Sequence, residues 1–143
     1  MKNKPDVEKV SRVTKNIAKV FEIRPEVSAV YLFGSVVMGM ERKGSDLDIA
    51  VHLDDSLSME QMGQYRFELI DILEQAVGSE VDLVVLNTAS LKIISQVLRY
   101  GRLVYSESID QARSYKLRKQ REYFDFMYYL DRDIQEMHTF FMD

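Results

Sequence analysis

The side chains best suited to chemistry in this chain are carboxylates that follow glycine-serine pairs. Gly34-Ser35 closes one apolar run, and Gly44-Ser45-Asp46-Leu47-Asp48 opens the next. Glycine at 34 permits a sharp turn and lets a ligand approach the main chain. Ser35 would open a helical turn whose hydroxyl and free N–H groups suit a phosphate. Asp46 and Asp48 are two apart on a predicted strand, so both carboxylates project to one side. Asp82 begins a later predicted strand, between Val81 and Leu83. If these strands pair, Asp82 lies beside the other two acids. Hard oxygen donors held this way, together with substrate phosphates, commonly bind Mg²⁺. Three carboxylates and a phosphate-cradling turn are the parts needed for two-metal phosphoryl transfer. Asp82 is also placed to accept the proton of an attacking hydroxyl.

The elements that must position these groups are legible in the hydrophobic periodicity. Val7, Val10, Val13, Ile17, Val20 and Phe21 mark one face of a helix, and Pro25 follows its end. Val27 to Phe33, Leu47 to Leu53 and Val81 to Leu86 read as strands, with a further short strand at Leu103 to Tyr105. Ser58 with Gln61 forms a capping-box pattern ahead of Met62, Tyr65, Leu69, Ile72, Leu73 and Ala76, and Gly78 fits a helix stop. Leu91, Ile94, Val97 and Leu98 predict a short helix ended by Gly101. From about residue 108 to residue 143 the pattern is one long helix with room for one break. Of the chain's 8 tyrosines and 7 phenylalanines, eight residues lie on it: Tyr115, Tyr123, Phe124, Phe126, Tyr128, Tyr129, Phe140 and Phe141. They occupy more than one face, whereas a lone surface helix needs one apolar stripe. The segment is therefore expected to cover the domain and to meet a partner.

Composition narrows the chemistry further. The 143 residues predict a single domain, residues 1–143, of α/β (α+β) class: a short mixed sheet with helices packed on it. There is no cysteine, which excludes a disulfide framework, a thiol nucleophile and a thiolate zinc site. The only histidines, His52 and His138, have no partners at catalytic or metal-ligating spacing and read as structural or exposed. Any metal site must then rest on oxygen ligands. Lys+Arg is 19 and Asp+Glu is 23, a net charge of −4, which argues against unspecific nucleic-acid binding. Arg113, Lys116, Arg118, Lys119 and Arg121 form a basic cluster, but Glu107, Asp110, Glu122 and Asp125 flank it, as on a solvated face. The opening MKNKPDVEKV lacks an apolar stretch of signal-peptide length, and the uncharged run from Val27 to Met40 is too short for a bilayer. A soluble, cytoplasmic protein without membrane contact is expected.

Gly34-Ser35, ten residues, then Asp46-x-Asp48 resembles the motif of the nucleotidyltransferase superfamily that includes DNA polymerase β. The short chain, with no added substrate domain, is similar to the minimal nucleotidyltransferase branch. Its tail, Arg121-Glu122-Tyr123-Phe124-Asp125-Phe126, resembles the tails of that branch's MntA-type antitoxins. The resemblance runs from about Val27 to the end. It implies the nucleotidyltransferase fold, ATP as substrate, and Mg²⁺, as two ions, on Asp46, Asp48 and Asp82. It implies nucleotide contacts from Gly34, Ser35 and Ser45. It also implies transfer of AMP to a tyrosine of a partner HEPN-domain ribonuclease toxin, which is thereby inactivated. One departure stands out: residues 36–40 read Val-Val-Met-Gly-Met, where the family often carries arginine. Arg42 or Lys43 would then meet the triphosphate.

Two other functions fit the same residues. One is an antitoxin that neutralises its partner by contact alone through the aromatic tail. The other is a nucleotidyltransferase acting on a small molecule, of the antibiotic-modifying kind. Such enzymes usually need a second domain to hold the acceptor, which a homodimer would supply.

Overall fold

The structure, a computed structural model, describes residues 7–34, 37 and 46–142. Four strands form one mixed sheet in the order β3-β2-β1-β4. They are β1 (Val27–Phe33), β2 (Leu47–Leu53), β3 (Val81–Val85) and β4 (Arg102–Ser106). β1 runs antiparallel to both β2 and β4, whereas β2 and β3 are parallel. A parallel pair needs a long connection. Here α2 (Met59–Val77) supplies it.

The alternation of side chains along the strands separates two cores. On one face Leu47, Ile49, Val51 and Leu53 of β2 join Val81, Leu83 and Val85 of β3. Val10, Val13, Ile17 and Phe21 of α1 (Val7–Phe21) close over them, with Met62, Leu69 and Leu73 of α2. On the other face Ala29, Tyr31 and Ala50 meet Ile94, Val97 and Leu98 of α3 (Leu91–Tyr100), along with Tyr115. The two alanines leave room for this second layer. Asp48, half-buried, and Asp82, exposed, share the alternation of Ala50 and Val84, on the α3 side of the sheet.

Local chemistry sets the element ends. The Ser58 hydroxyl accepts from the Gln61 N–H at 3.1 Å, and the Ser58 N–H donates to the Gln61 side chain at 2.8 Å. Gly78 ends α2 with φ 72°, where a side chain would be strained. Ser90 caps α3 through the Ile93 N–H at 3.3 Å. β3 stops at Val85, one residue before the expected end, because Leu86–Thr88 turn as a 3-10 helix. That turn brings the Asn87 amide against the end of β2. It accepts from the Leu53 N–H and donates to the Leu53 carbonyl, both at 2.8 Å. A side chain thus completes the ladder where the strand stops. β4 is two residues longer than its apolar stretch suggested.

The last helix, α4, runs unbroken over Ile109–Met142. At 1.5 Å per residue its 34 residues span about 50 Å. Ser108 caps its start, accepting from the Gln111 N–H at 3.3 Å. Only its first turns are packed: Ala112 and Tyr115 are buried, whereas every residue from Phe124 to Phe141 is exposed. The basic cluster lies on this helix: Lys119 pairs with Glu122 at 3.1 Å, and Arg118 and Lys119 lie 5.7 and 5.9 Å from the centre of the Tyr115 ring. Among the described residues, no helix is long and apolar enough to cross a membrane.

Tyr115 anchors α4 by stacking on His52 of β2, ring centroids 4.1 Å apart. Burial pulls the His52 imidazole below its ordinary value of 6.5; Asp55 opposes this, and Arg118 and Lys119 reinforce it. The native state therefore favours the neutral ring, while the unfolded chain binds the proton more readily. Stability from this group is complete above pH 6.5 and is lost as pH falls below it. Denaturant melts at pH 7.5 and pH 5.5 should show the wild type weakening more at acid pH than His52→Phe, which keeps the stack without the titration.

Candidate active site

The parallel pairing of β2 and β3 sets Leu47 against Val81, Asp48 against Asp82 and Ile49 against Leu83. Register partners point to the same face, so the Asp48 and Asp82 carboxylates emerge side by side. On the other flank of Asp48, the antiparallel pairing with β1 places Phe33 as its partner. The next residue is Gly34, with φ 75°. A Cβ built there would lie 2.8 Å from Asp48 Cγ and run into the carboxylate oxygen. Glycine at 34 is thus required twice, by the backbone angle and by the space that the Asp48 carboxylate occupies.

These residues line one cavity of about 360 Å³. Asp48, Asp82 and Gly34 form its floor together with Phe33 and Val84. Ile93, Gln96, Val97 and Tyr100 of α3 form a wall. One end of the site is therefore anionic and the other apolar, the division a nucleotide or an aromatic acceptor requires.

The expected site residues divide into three groups. Asp48 and Asp82 are brought together across the strand pair. Asp46 is exposed just ahead of β2 and is not among the residues lining the cavity. Among the described residues, no group of three or more His, Asp or Glu is drawn together as a metal site. Ser35, Ser45 and Arg42, expected to meet the nucleotide, lie outside the described residues, as does Lys43.

The wall on α3 is new. The spacing of Leu91, Ile94, Val97 and Leu98 revealed the stripe that packs on the sheet. The adjacent stripe, Ile93, Gln96, Val97 and Tyr100, has helical spacing too. Its meaning depends on which element faces it. His52, which has no catalytic partner in sequence, lies four residues beyond Asp48 on the same face, about 13 Å along the strand. It belongs to the α4 anchor.

Residues 15–110 match the polymerase beta nucleotidyltransferase family. The chain belongs to that family. The match contains all four strands and ends at the start of α4. Over 86 residues, 60% of this chain, the sequence is 37% identical to the protein adenylyltransferase MntA of Shewanella oneidensis. That stretch spans 59% of the relative's length. Among solved structures, the fold is similar to a chain of a toxin-antitoxin crystal structure with AMP-PNP. The TM-score is 0.69 at 28% identity, over 87% of this chain and 97% of that one. It is also similar to a chain of a complex between a tri-AMPylated Shewanella oneidensis HEPN toxin and an MNT antitoxin. There the TM-score is 0.65 at 26% identity, over 90% of this chain and 98% of the other. The nucleotidyltransferase fold expected from the Gly-Ser and Asp-x-Asp spacing is thus the fold observed.

Replacing Gly34 tests the geometry directly. Gly34→Ala must hold a positive φ, at a cost of roughly 1–2 kcal/mol, and must displace the Asp48 carboxylate. The variant should remain folded by circular dichroism, melt a few degrees lower, and lose nucleotidyl transfer by at least about tenfold, a 1.4 kcal/mol effect.

Proposed function

We propose that this chain is an antitoxin that acts as a protein adenylyltransferase. It would transfer AMP from ATP to a tyrosine of a partner HEPN-domain toxin and so inactivate it. The observation that carries this reading is the pair Asp48 and Asp82, set against each other across parallel strands and facing one cavity beside Gly34. The likeness to a curated adenylyltransferase and to chains of toxin-antitoxin structures supports the acceptor class.

The residues present fit Mg²⁺. Mg²⁺ is commonly held by one or two carboxylates with the remaining positions left to substrate phosphates and water. Asp48 and Asp82 offer two such carboxylates on one face, and Gly34 has no side chain to intrude on Asp48. Asp46 is proposed as a further ligand and the number of ions as two. The chemistry supplied by bound Mg²⁺ is neutralisation of phosphate charge and polarisation of the reacting phosphorus centre. The chain itself does the rest. The turn after Gly34, with Ser35, Ser45 and Arg42, would hold the triphosphate. Asp82 would take the proton of the acceptor phenol. The apolar wall of α3 would exclude water from the reacting pair.

The acceptor must be brought in by a second surface, and α4 offers one. Tyr123, Met127, Leu130, Ile134, Met137 and Phe141 recur at alternating steps of four and three. That is the seam of a helix that packs on another helix. Met127, Leu130, Ile134 and Met137 are 42%, 41%, 55% and 58% exposed, so no other described residue covers them. We infer that this seam docks on the helical toxin while the sheet presents the catalytic cavity.

The deciding experiment combines the chain, Mg²⁺, α-labelled ATP and the HEPN protein encoded beside it. Label should appear on a toxin tyrosine. Asp82→Asn should slow transfer by about 10²–10⁴-fold, the usual weight of a positioned general base. An unlabelled, properly folded toxin would overturn the reading. If an Asp46/Asp48 double asparagine variant still rescued cells fully, neutralisation by contact alone would replace it. Leu130→Asp with Ile134→Asp should weaken toxin capture by at least about a hundredfold in a pull-down titration, some 2.7 kcal/mol, without changing the melt of the sheet domain.

A further inference from the structure

If the cavity accepts a protein tyrosine, the chain's own hydroxyls must be asked the same question. All 8 tyrosines can be placed. Tyr31 and Tyr115 are buried in the α3-side core. Tyr65 and Tyr105 pack against the core on the opposite face of the sheet, and Tyr65 donates to Glu26 at 3.2 Å. Tyr123, Tyr128 and Tyr129 lie along the projecting part of α4. Tyr100 is the tyrosine that lines the carboxylate cavity, and among the described lining residues it carries the only hydroxyl.

Its setting suits an acceptor more than a structural residue. Tyr100 ends α3 and is 54% exposed, so packing does not hold its ring. It lies seven positions after Ile93 and four after Gln96, on the stripe that overlooks Asp48 and Asp82. The Arg99 guanidinium carbon stands 5.9 Å from the centre of its ring. A cation is therefore at hand for the phosphate charge that would arrive there.

We propose that Tyr100 is an adenylylation site of the chain itself, modified within its own cavity. This rests on the adenylyltransferase reading above. The phenolic oxygen would form a bond to the α-phosphorus of ATP. The bond from that phosphorus to the bridging oxygen of the β-phosphate breaks, and pyrophosphate leaves with the electron pair. The phenolic proton passes to Asp82 and on to water. The product, a tyrosyl-AMP phosphodiester at the end of α3, would occupy the space that a toxin tyrosine must enter.

The test uses the full chain with ATP and Mg²⁺, in parallel with and without the HEPN protein. Intact mass and fragmentation are read for both proteins. The expected result is one AMP per chain on the peptide that contains Tyr100. Its half-time should not change when the chain is diluted roughly a hundredfold, as first-order transfer requires. Tyr100→Phe, which keeps the ring and melts like the wild type, should gain none. AMP on the toxin but never on this chain would overturn the proposal and leave the transferase reading standing. AMP on neither protein would overturn both. AMP mapped to Tyr123, Tyr128 or Tyr129, a rate that rises with chain concentration, or undiminished labelling of Tyr100→Phe would overturn Tyr100 as a site modified within its own chain.

Discussion

The register between two parallel strands is the constraint on which the site depends. A strand's side chains alternate, so a slip of one residue between β2 and β3 would send Asp48 or Asp82 to the opposite face. The slip is prevented by the residues on either side of each acid. Leu47 and Ile49 of β2, with Val81 and Leu83 of β3, are buried in the core beneath α1 and α2. Exposing them would cost roughly 1.5–3 kcal/mol each. Burial on one face thereby fixes two carboxylates side by side on the other.

The two faces of the sheet divide the work. The α1 and α2 side is an apolar core, and α2 is also the connection that parallel pairing demands. The α3 side carries the carboxylate cavity at one end of β2 and the α4 anchor at the other. Asp48 faces the cavity near the start of the strand, whereas His52 stacks on Tyr115 near its end. α3 crosses between them, giving Ile94, Val97 and Leu98 to the core and Ile93, Gln96 and Tyr100 to the cavity wall. A single short helix thus buries one stripe and equips the site with the next. α4 stays beside α3 as far as Phe124, whose ring centre lies 5.9 Å from the Arg99 guanidinium carbon, and beyond it no described residue covers its apolar seam.

Much of this is legible in the sequence. Apolar patterning locates the four described strands and α1, α2 and α3, because each of these buries at least one face and water makes that face visible. The cap chemistry of Ser58, Gln61 and Gly78 marked the ends of α2 for the same local reasons that the structure shows. Gly34 and Asp48 could be tied to one site by motif spacing, and Asp82 by its position in a strand. What was hidden depends on contacts between elements distant in sequence. The apolar Leu86 extends the expected β3 one residue past its observed end, where the Asn87 side chain takes over the ladder to Leu53. The His52–Tyr115 stack joins residues far apart in the chain, and no periodicity announces it. Tyr100 looked like an ordinary helix end until the neighbouring sheet identified what its stripe overlooks.

The central claim is that Asp48 and Asp82, set together by strand register, hold the metal-bound nucleotide. The most direct measurement is an electron paramagnetic resonance titration of Mn²⁺ in the presence of a non-hydrolysable ATP analogue. The wild type should bind Mn²⁺ and broaden its signal, and Asp48→Asn with Asp82→Asn should weaken binding by at least about tenfold, or 1.4 kcal/mol. Equal Mn²⁺ affinity in the wild type and a folded double variant would contradict the account.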